Sequence, residues 1–377
     1  MRYYIIAGEA SGDLHGSNLI KQLLLLDSDA CIRCWGGDLM ENAGAELVKH
    51  YRDLAFMGFA EVIKNLPTIF KNIRYCKSDI LNFQPDTLIL IDYPGFNLRI
   101  AEWAKSQGLK VIYYISPQVW AWKENRVKKM KTCIDKMLVI LPFEKDYYKV
   151  KWNWDVDYVG HPLIEVIEAK KKELGYTEDT KFPLAEATII ALLPGSRKQE
   201  ITKKLPIMLQ LAKSFPAYQF VVAEAPGQDA SFYEPFLEPY HNVSSVKNGT
   251  YQLLLQSKAA LVTSGTATLE TALLGIPEIV CYKGSNISYQ IAKRLIKIKY
   301  ISLVNLIMDK LVVKELIQDE LNTKNLALEL HELLSNKEKQ AQIRNDYQTL
   351  RNLLSKAGHA SAQAAKIIYE NTAIQTF

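Results

Sequence analysis

Ala259 to Glu270 reads Ala-Ala-Leu-Val-Thr-Ser-Gly-Thr-Ala-Thr-Leu-Glu. Ala259 to Val262 suit a buried strand, Thr263 to Thr266 a polar turn, and Leu269, Glu270 and Leu273 the opening of a helix. Ser264 and Thr266 are residue types that cap helices, and Gly265 lets a ligand come close to the backbone. The first N–H groups of a helix have no partner inside it. A strand–turn–helix start is therefore a ready anion site, and a diphosphate is a common anion to fill one. Glu270, about one turn in, offers two acceptors to a ribose diol. A well-capped ordinary helix with an acid in its first turn has the same composition. The stretch alone leaves both readings open.

Other stretches carry candidate chemistry. Leu193-Pro194-Gly195-Ser196-Arg197 also follows an apolar strand; Gly195 and Ser196 admit a ligand, and the Arg197 guanidinium can fork onto a diphosphate. Asp92, in Ile91-Asp92-Tyr93-Pro94-Gly95-Phe96-Asn97, stands at the carboxyl end of a strand before a Pro-Gly corner. It is either a general base on a hydroxyl or a turn-forming acid. Gly8-Glu9-Ala10-Ser11-Gly12-Asp13 opens the first helix, but lacks the G-x-G-x-x-G spacing of a dinucleotide site, so a loop closing on a substrate is the better reading. Asp27-Ser28-Asp29 and Asp155-Val156-Asp157 have the spacing of a Mg²⁺ site, yet the first is a helix–strand turn and the second leads into a strand. His15, His50, His161, His241, His331 and His359 form no ligand cluster, so no metal is expected.

These residues need a frame to hold them. Apolar runs at Tyr3–Ala7, Cys31–Trp35, Thr87–Ile91, Val111–Ile115, Lys136–Ile140 and Val156–Val159 read as buried strands. Helical patterns at 14–26, 100–107 and 143–150 alternate with some of them. That alternation predicts a parallel sheet covered on both faces. Gly160-His161-Pro162 breaks the pattern, and a second set follows at 187–193, 219–223, 242–246, 259–262, 277–282 and 300–303. The chain then reads helical beyond Val312. The expected fold is α/β, with two doubly wound Rossmann-like domains facing a cleft. Domain bounds are expected at 1–160 and 161–345, with C-terminal helices over 346–377 packing back toward the first domain. Ligands in such sheets bind at the carboxyl ends of the strands.

The 377 residues are 48% hydrophobic and 23% charged, ordinary for a globular protein with two cores. The net charge of +5 is unevenly spread. Residues 123–151 hold nine basic and four acidic side chains, and 283–308 hold five basic and none acidic. Two positive patches call for an anionic partner: a phosphorylated substrate, an acidic membrane or, last because no motif supports it, nucleic acid. Five scattered cysteines fit a reducing compartment, and Cys31 and Cys34, three apart on a strand, point to opposite faces. No signal peptide or spanning apolar run is read, so a cytoplasmic protein is expected, at most attached to a membrane surface.

Five motifs occur in order: Gly8 to Asp13, Tyr114-Ile115-Ser116-Pro117-Gln118-Val119-Trp120-Ala121-Trp122, Val159-Gly160-His161, Leu192 to Arg197 and Ser264 to Glu270. Together they resemble lipid-A-disaccharide synthases, inverting glycosyltransferases of GT-B architecture. Many members carry an acid where this chain has Gly95 and a Pro where it has Val304. The resemblance implies transfer of 2,3-diacylglucosamine from UDP to the 6-hydroxyl of 2,3-diacylglucosamine 1-phosphate. The product would be the β-1,6 disaccharide 1-phosphate, with UDP leaving and no cofactor or metal. Asp92 matches the family's proposed base; Arg197, Ser264, Gly265, Thr266, Glu270 and Asn305 match the UDP side. A homodimer is compatible with it. A UDP-N-acetylglucosamine 2-epimerase or a non-catalytic nucleotide-binding module would share the frame; the first would not need surface for acyl chains, the second would not need Asp92.

Substrates with acyl chains also bear on Phe56, Phe59, Ile63, Leu66, Phe70 and Ile73, which recur at three- and four-residue spacing. Met57, Val62 and Ile69 widen the stripe, and Pro67 is expected to divide it into two helical pieces. Such a stripe is core more often than surface. Its breadth, the flanking Lys64, Lys71 and Arg74, and the two basic segments favour contact with the inner face of the inner membrane.

Overall fold

The computed structural model describes residues 1–54, 66–176, 188–285, 289 and 299–373. The chain divides into two compact units, Met1–Pro162 with Leu354–Phe377, and Leu163–Leu353.

The first unit is built on a seven-stranded sheet: β1 (Arg2–Ala7), β2 (Cys31–Gly36), β3 (Glu46–His50), β4 (Thr87–Ile91), β5 (Val111–Tyr114), β6 (Lys136–Val139) and β7 (Asp157–Tyr158). The order is β3-β2-β1-β4-β5-β6-β7, and every pairing is parallel. Parallel strands need crossovers, so helices cover both faces. Alternate residues of the central strands accordingly enter two separate cores. Tyr4, Ile6, Leu88, Leu90 and Tyr113 lie in one, Tyr3, Ile5, Ile89, Ile91, Ile112 and Tyr114 in the other. The helix Ala360–Ala373 closes the second of these cores with Ala364, Ala365 and Ile368, and Thr372 Oγ1 meets Thr87 Oγ1 at 2.8 Å.

The second unit repeats the plan with six strands: β8 (Ile189–Leu193), β9 (Gln219–Glu224), β10 (Val243–Lys247), β11 (Ser257–Thr263), β12 (Glu278–Tyr282) and β13 (Lys314–Ile317). Their order is β10-β9-β8-β11-β12-β13, again parallel throughout.

The structure corrects several expectations. Residues 300–303 form no strand; Ser302 instead accepts from the Asn305 N–H and caps the helix Leu303–Met308. The last strand is β13, within the segment read as wholly helical, and β3 was not foreseen. Both are edge strands, Lys-Glu-Leu-Ile and Glu-Leu-Val-Lys-His, whose charged residues blur the apolar signal while guarding an open edge. The first and second helical patterns of the first half begin too late, because the helices start in the polar loops at Ala10 and Pro94. Cys31 is exposed and Cys34 buried, as alternate faces require.

Phe56, Phe59 and Ile63 lie outside the described residues, as does the side chain of Leu66. The helix Leu66–Phe83 has Pro67 in its first turn. Its apolar residues split: Ile73, Cys76 and Ile80 are core, Ile69 packs against them, and Phe70 is 52% exposed. Over this part, then, the stripe is not one exposed face. No described helix is long and apolar enough to cross a membrane.

Because Ile368 is fully buried in the first unit's core, Ile368→Ala is expected to cost about 2–5 kcal/mol. Denaturant unfolding monitored on the first unit's tryptophans checks this; an unchanged midpoint would show that the helix is not part of that core.

Candidate active site

In the first sheet the strand order reverses between β1 and β4. The crevice outside the carboxyl ends of strands at such a switch point is where open α/β sheets bind ligands. The loop after β1 is Gly8 to Asp13 and the turn after β4 begins at Asp92, so topology alone brings these two stretches together.

Asp92 and Tyr93 are consecutive non-glycine residues in the left-handed region, at φ 43° and 49°. Such a pair costs about 1–2 kcal/mol per residue and persists only where the surroundings hold it. Asn97, fully buried, donates from Nδ2 to the carbonyls of Asp92 at 2.8 Å and Ile91 at 3.1 Å. The Tyr113 hydroxyl donates to the same Asp92 carbonyl, and the Asp92 N–H donates to Tyr114 at 3.1 Å. Pro94 then starts the helix Pro94–Ser106 with its φ already set.

The Asp92 carboxyl is pushed up to about 6, first by burial and then by the charge of Glu9, with the Tyr93 N–H pulling the other way. Gly8 is needed for that approach: the Tyr93 ring stands 2.2 Å from where a Gly8 Cβ would lie. Glu9 and Ser11 are exposed, and Gly12 is buried against Ala7. The loop after β5 is tied down behind them. Trp120 Nε1 donates to Glu144 at 3.1 Å, and Ser116 Oγ meets the Tyr148 hydroxyl at 2.7 Å.

The second sheet reverses between β8 and β11. A cavity of about 370 Å³ opens there, lined by Gly195 and Ser196 after β8, Glu224 and Ala225 at the end of β9, and Ser264, Gly265, Thr266 and Glu270 after β11. Gly265, at φ 150°, precedes the helix Thr266–Leu273, and a Cβ there would meet nothing within 4 Å. The backbone is thus open to a ligand above a helix N-terminus. Ser264 Oγ donates to the Ile301 carbonyl at 3.0 Å, which orients the turn. The Tyr251 hydroxyl donates to one Glu270 oxygen at 2.9 Å, and burial raises the proton affinity of that carboxyl. Arg197 begins the helix Lys198–Leu209 and is exposed, its guanidinium 3.9 Å from Glu200.

Over residues 3–368 the chain matches the profile of the family described as Lipid-A-disaccharide synthetase. A Lipid-A-disaccharide synthase of Syntrophus aciditrophicus is 39% identical over 369 residues, covering 96% of this chain and 95% of that one. The chain belongs to the lipid-A-disaccharide synthase family. It is a glycosyltransferase of lipid A biosynthesis, and its two parallel sheets have the GT-B plan. Another Lipid-A-disaccharide synthase, from Geobacter metallireducens, is 37% identical over 375 residues, with 98% and 97% of the two chains covered. Among solved structures, a UDP-GlcNAc 2-epimerase from Neisseria meningitidis superposes with a TM-score of 0.67 at 15% identity, covering 98% of this chain and 99% of that one. The glycotransferase of kitacinnamycin gives 0.65 at 13%, covering 98% of each. At such identities the likeness is one of fold alone.

Two family-motif expectations need correction. Asp13 is turned inward from the loop: at 3% exposure its carboxylate accepts from the N–H groups of Gly37 at 2.8 Å, Met40 at 3.1 Å and Leu39 at 3.2 Å. It caps the helix Asp38–Asn42 from outside. Asn305 is fully buried, and its amide is saturated. Nδ2 donates to the Val313 carbonyl at 2.8 Å and to Glu315 at 2.9 Å, while Oδ1 accepts from Val312 and Val313. Glu315 in turn accepts from the Ile301 and Ser302 N–H groups. Asn305 therefore supports the segment that holds Ser264, and its side-chain amide has no hydrogen bond left for a ligand.

Two residues were missed. Lys204 is a buried cation, 2% exposed, whose Nζ lies 4.0 Å from Glu200; burial lowers its pKa to about 8. Its i,i+4 spacing from Glu200 was the available signal. Glu224 lines the cavity with Oε1 held by Ser245 at 2.7 Å and Oε2 buried without a partner. No sequence pattern marks it.

Gly8→Ala is expected to lower turnover by about 10²-fold, since the added Cβ displaces Tyr93 and with it Asp92. Steady-state kinetics beside far-UV circular dichroism checks this; near-normal turnover in a folded variant would mean that the packing of Gly8 on Tyr93 does not set the site.

Proposed function

We propose that the protein transfers 2,3-diacylglucosamine from its UDP donor to the 6-hydroxyl of 2,3-diacylglucosamine 1-phosphate. The acceptor oxygen forms a bond to the anomeric carbon as the bond from that carbon to the diphosphate breaks, with inversion. Asp92 takes the hydroxyl proton, and UDP leaves with the bonding electrons. Family membership supports the class of reaction. The observation that carries the assignment of the base is Asp92 itself, a carboxylate held on a strained turn at the switch point with its proton affinity raised toward neutrality.

The donor's diphosphate is assigned to the Ser264–Gly265–Thr266 helix start and its ribose to Glu270. Its negative charge is met by backbone N–H groups, Arg197 and Lys204. No metal is used in this scheme. Both substrates carry acyl chains, so the reading brings the protein to the cytoplasmic face of the inner membrane through residues 56–74, each basic side chain near the surface adding about 1 kcal/mol.

Release of UDP from UDP-diacylglucosamine is expected only when the phosphorylated acceptor is present, and to be indifferent to EDTA. Conversion of UDP-N-acetylglucosamine alone would point to an isomerase instead. Asp92→Asn is expected to lose about 10²–10⁴ in turnover while binding the UDP donor within a few fold. Only the carboxylate can accept a proton. With that group titrating at about 6, kcat/KM of the wild type should fall about tenfold per pH unit below that value and level off above it. A profile flat down to pH 4 would exclude Asp92 as the base.

For the membrane, the measurement is co-sedimentation with vesicles of the Phe59→Ser, Ile63→Ser, Phe70→Ser variant. Pelleting should be lost with folding retained. A variant that unfolds would show that the stripe is core.

A further inference from the structure

A second cavity, of about 220 Å³, lies beside the Asp92 turn in the first unit. Pro94, Gly95, Leu98 and Arg99 line it from one helix; Arg126, Lys129 and Met130 line it from the helix Arg126–Cys133. Three of these seven residues are cations, and none is an acid. Lys129 has a counter-charge in Glu102 at 2.6 Å. Among the described residues, neither Arg99 nor Arg126 forms a salt bridge. Two guanidiniums gathered without a counter-ion around a concave surface favour an incoming anion, and a fork of N–H donors suits the oxygens of a phosphate.

The geometry of the helix start adds to this. Pro94 and Gly95 form the first turn of a 13-residue helix, whose N-terminal end carries partial positive charge. Gly95 is exposed, and a Cβ there would meet nothing within 4 Å, so the mouth of the cavity is open. An acid at this position would put a negative charge on the rim; glycine keeps the cavity wholly cationic. Leu98 and Met130 give it an apolar wall, against which a sugar ring can rest. The cavity also adjoins the catalytic turn in the chain. Arg126 acts on the Tyr113 phenol, which donates to the Asp92 carbonyl. Only Tyr93 separates Asp92 from Pro94.

We propose that Arg99 and Arg126 bind the phosphate monoester of the sugar acceptor, and so set the sugar with its hydroxyl at Asp92. The inference rests on the acceptor reading given above. It makes the cavity a specificity site: an acceptor without the phosphate would gain nothing from the two cations and would bind less tightly.

The test uses the full-length protein and the Arg99→Ala, Arg126→Ala double variant, with the single Arg126→Gln variant as the milder change should the double one unfold. Acceptor kinetics are run in neutral detergent, with acceptors bearing and lacking the phosphate. KM for the phosphorylated acceptor is expected to rise about 10- to 100-fold, with donor KM unchanged and with discrimination between the two acceptors lost. Glucosamine 1-phosphate, titrated calorimetrically, should bind the wild type and not the variant. That arm reads the cavity even if the wild type fails to turn over, an outcome that would sink the transfer reading by itself. The other source of a phosphate is a lipid headgroup. A variant that no longer pellets with phosphatidylglycerol-containing vesicles, yet keeps its acceptor KM in detergent, would overturn the proposal. So would an unchanged KM in a folded variant.

Discussion

The amide of Asn97 joins the two strand ends at which the first sheet reverses direction. Its Nδ2 reaches the carbonyls of Asp92 and Ile91, and at 3.4 Å that of Ile6 in β1. A buried donor with three carbonyls in range holds the carboxyl ends of β1 and β4 in one register. Removing it would leave those carbonyls short of a donor in an apolar core, which costs about 1–3 kcal/mol per group. It would also release two residues from a backbone conformation they do not favour alone. The position of the Asp92 carboxyl, its burial and its nearness to Glu9, and hence its raised proton affinity, all follow from this clamp.

The second unit reaches a similar end by different means. Glycine supplies the unusual backbone at 265, so no strain has to be held, and the polar network works on the neighbouring chain. Asn305 binds Glu315, Glu315 binds the Ile301 and Ser302 N–H groups, and the Ile301 carbonyl receives Ser264 Oγ. Every link but the last, which is part-buried, is a hydrogen bond to the Glu315 carboxylate, the kind whose loss is most costly. The two loops are thus rigid for different reasons: one is clamped from below by a side chain, the other is buttressed from beside.

Much of this was legible in the order of residues. Strands buried on both faces read as uninterrupted apolar runs, so the central strands of both sheets stood out, whereas the edge strands β3 and β13 carry charge and did not. The glycine-bearing turns declared themselves because their spacing after a strand is demanded by backbone geometry. What a polar side chain does at such a turn was less legible. Asp13 shares a motif with Glu9, and Asn305 was expected with Ser264 on the UDP side, yet both spend their hydrogen bonds inside the protein. Nothing local separates a carboxylate that caps the next helix from one that meets a ligand; the difference lies in which N–H groups, 24 to 27 residues away, fold onto it. Lys204 and Glu224 were obscure for the converse reason, since ordinary surface types become buried only once the sheet has closed.

The first unit is discontinuous. It takes its last helix, Ala360–Ala373, from beyond the whole of Leu163–Leu353. On a ribosome, the second unit is therefore fully synthesised while part of one face of the first sheet, already half covered by Leu19, Ile20 and Leu23, still waits for Ala364 and Ile368. The usual order in which the amino-terminal domain completes first cannot apply. For the length of that delay the nascent chain exposes part of an apolar sheet face of its own, which makes this segment of its life the one in which a chaperone, or a bilayer close by, has most to offer it.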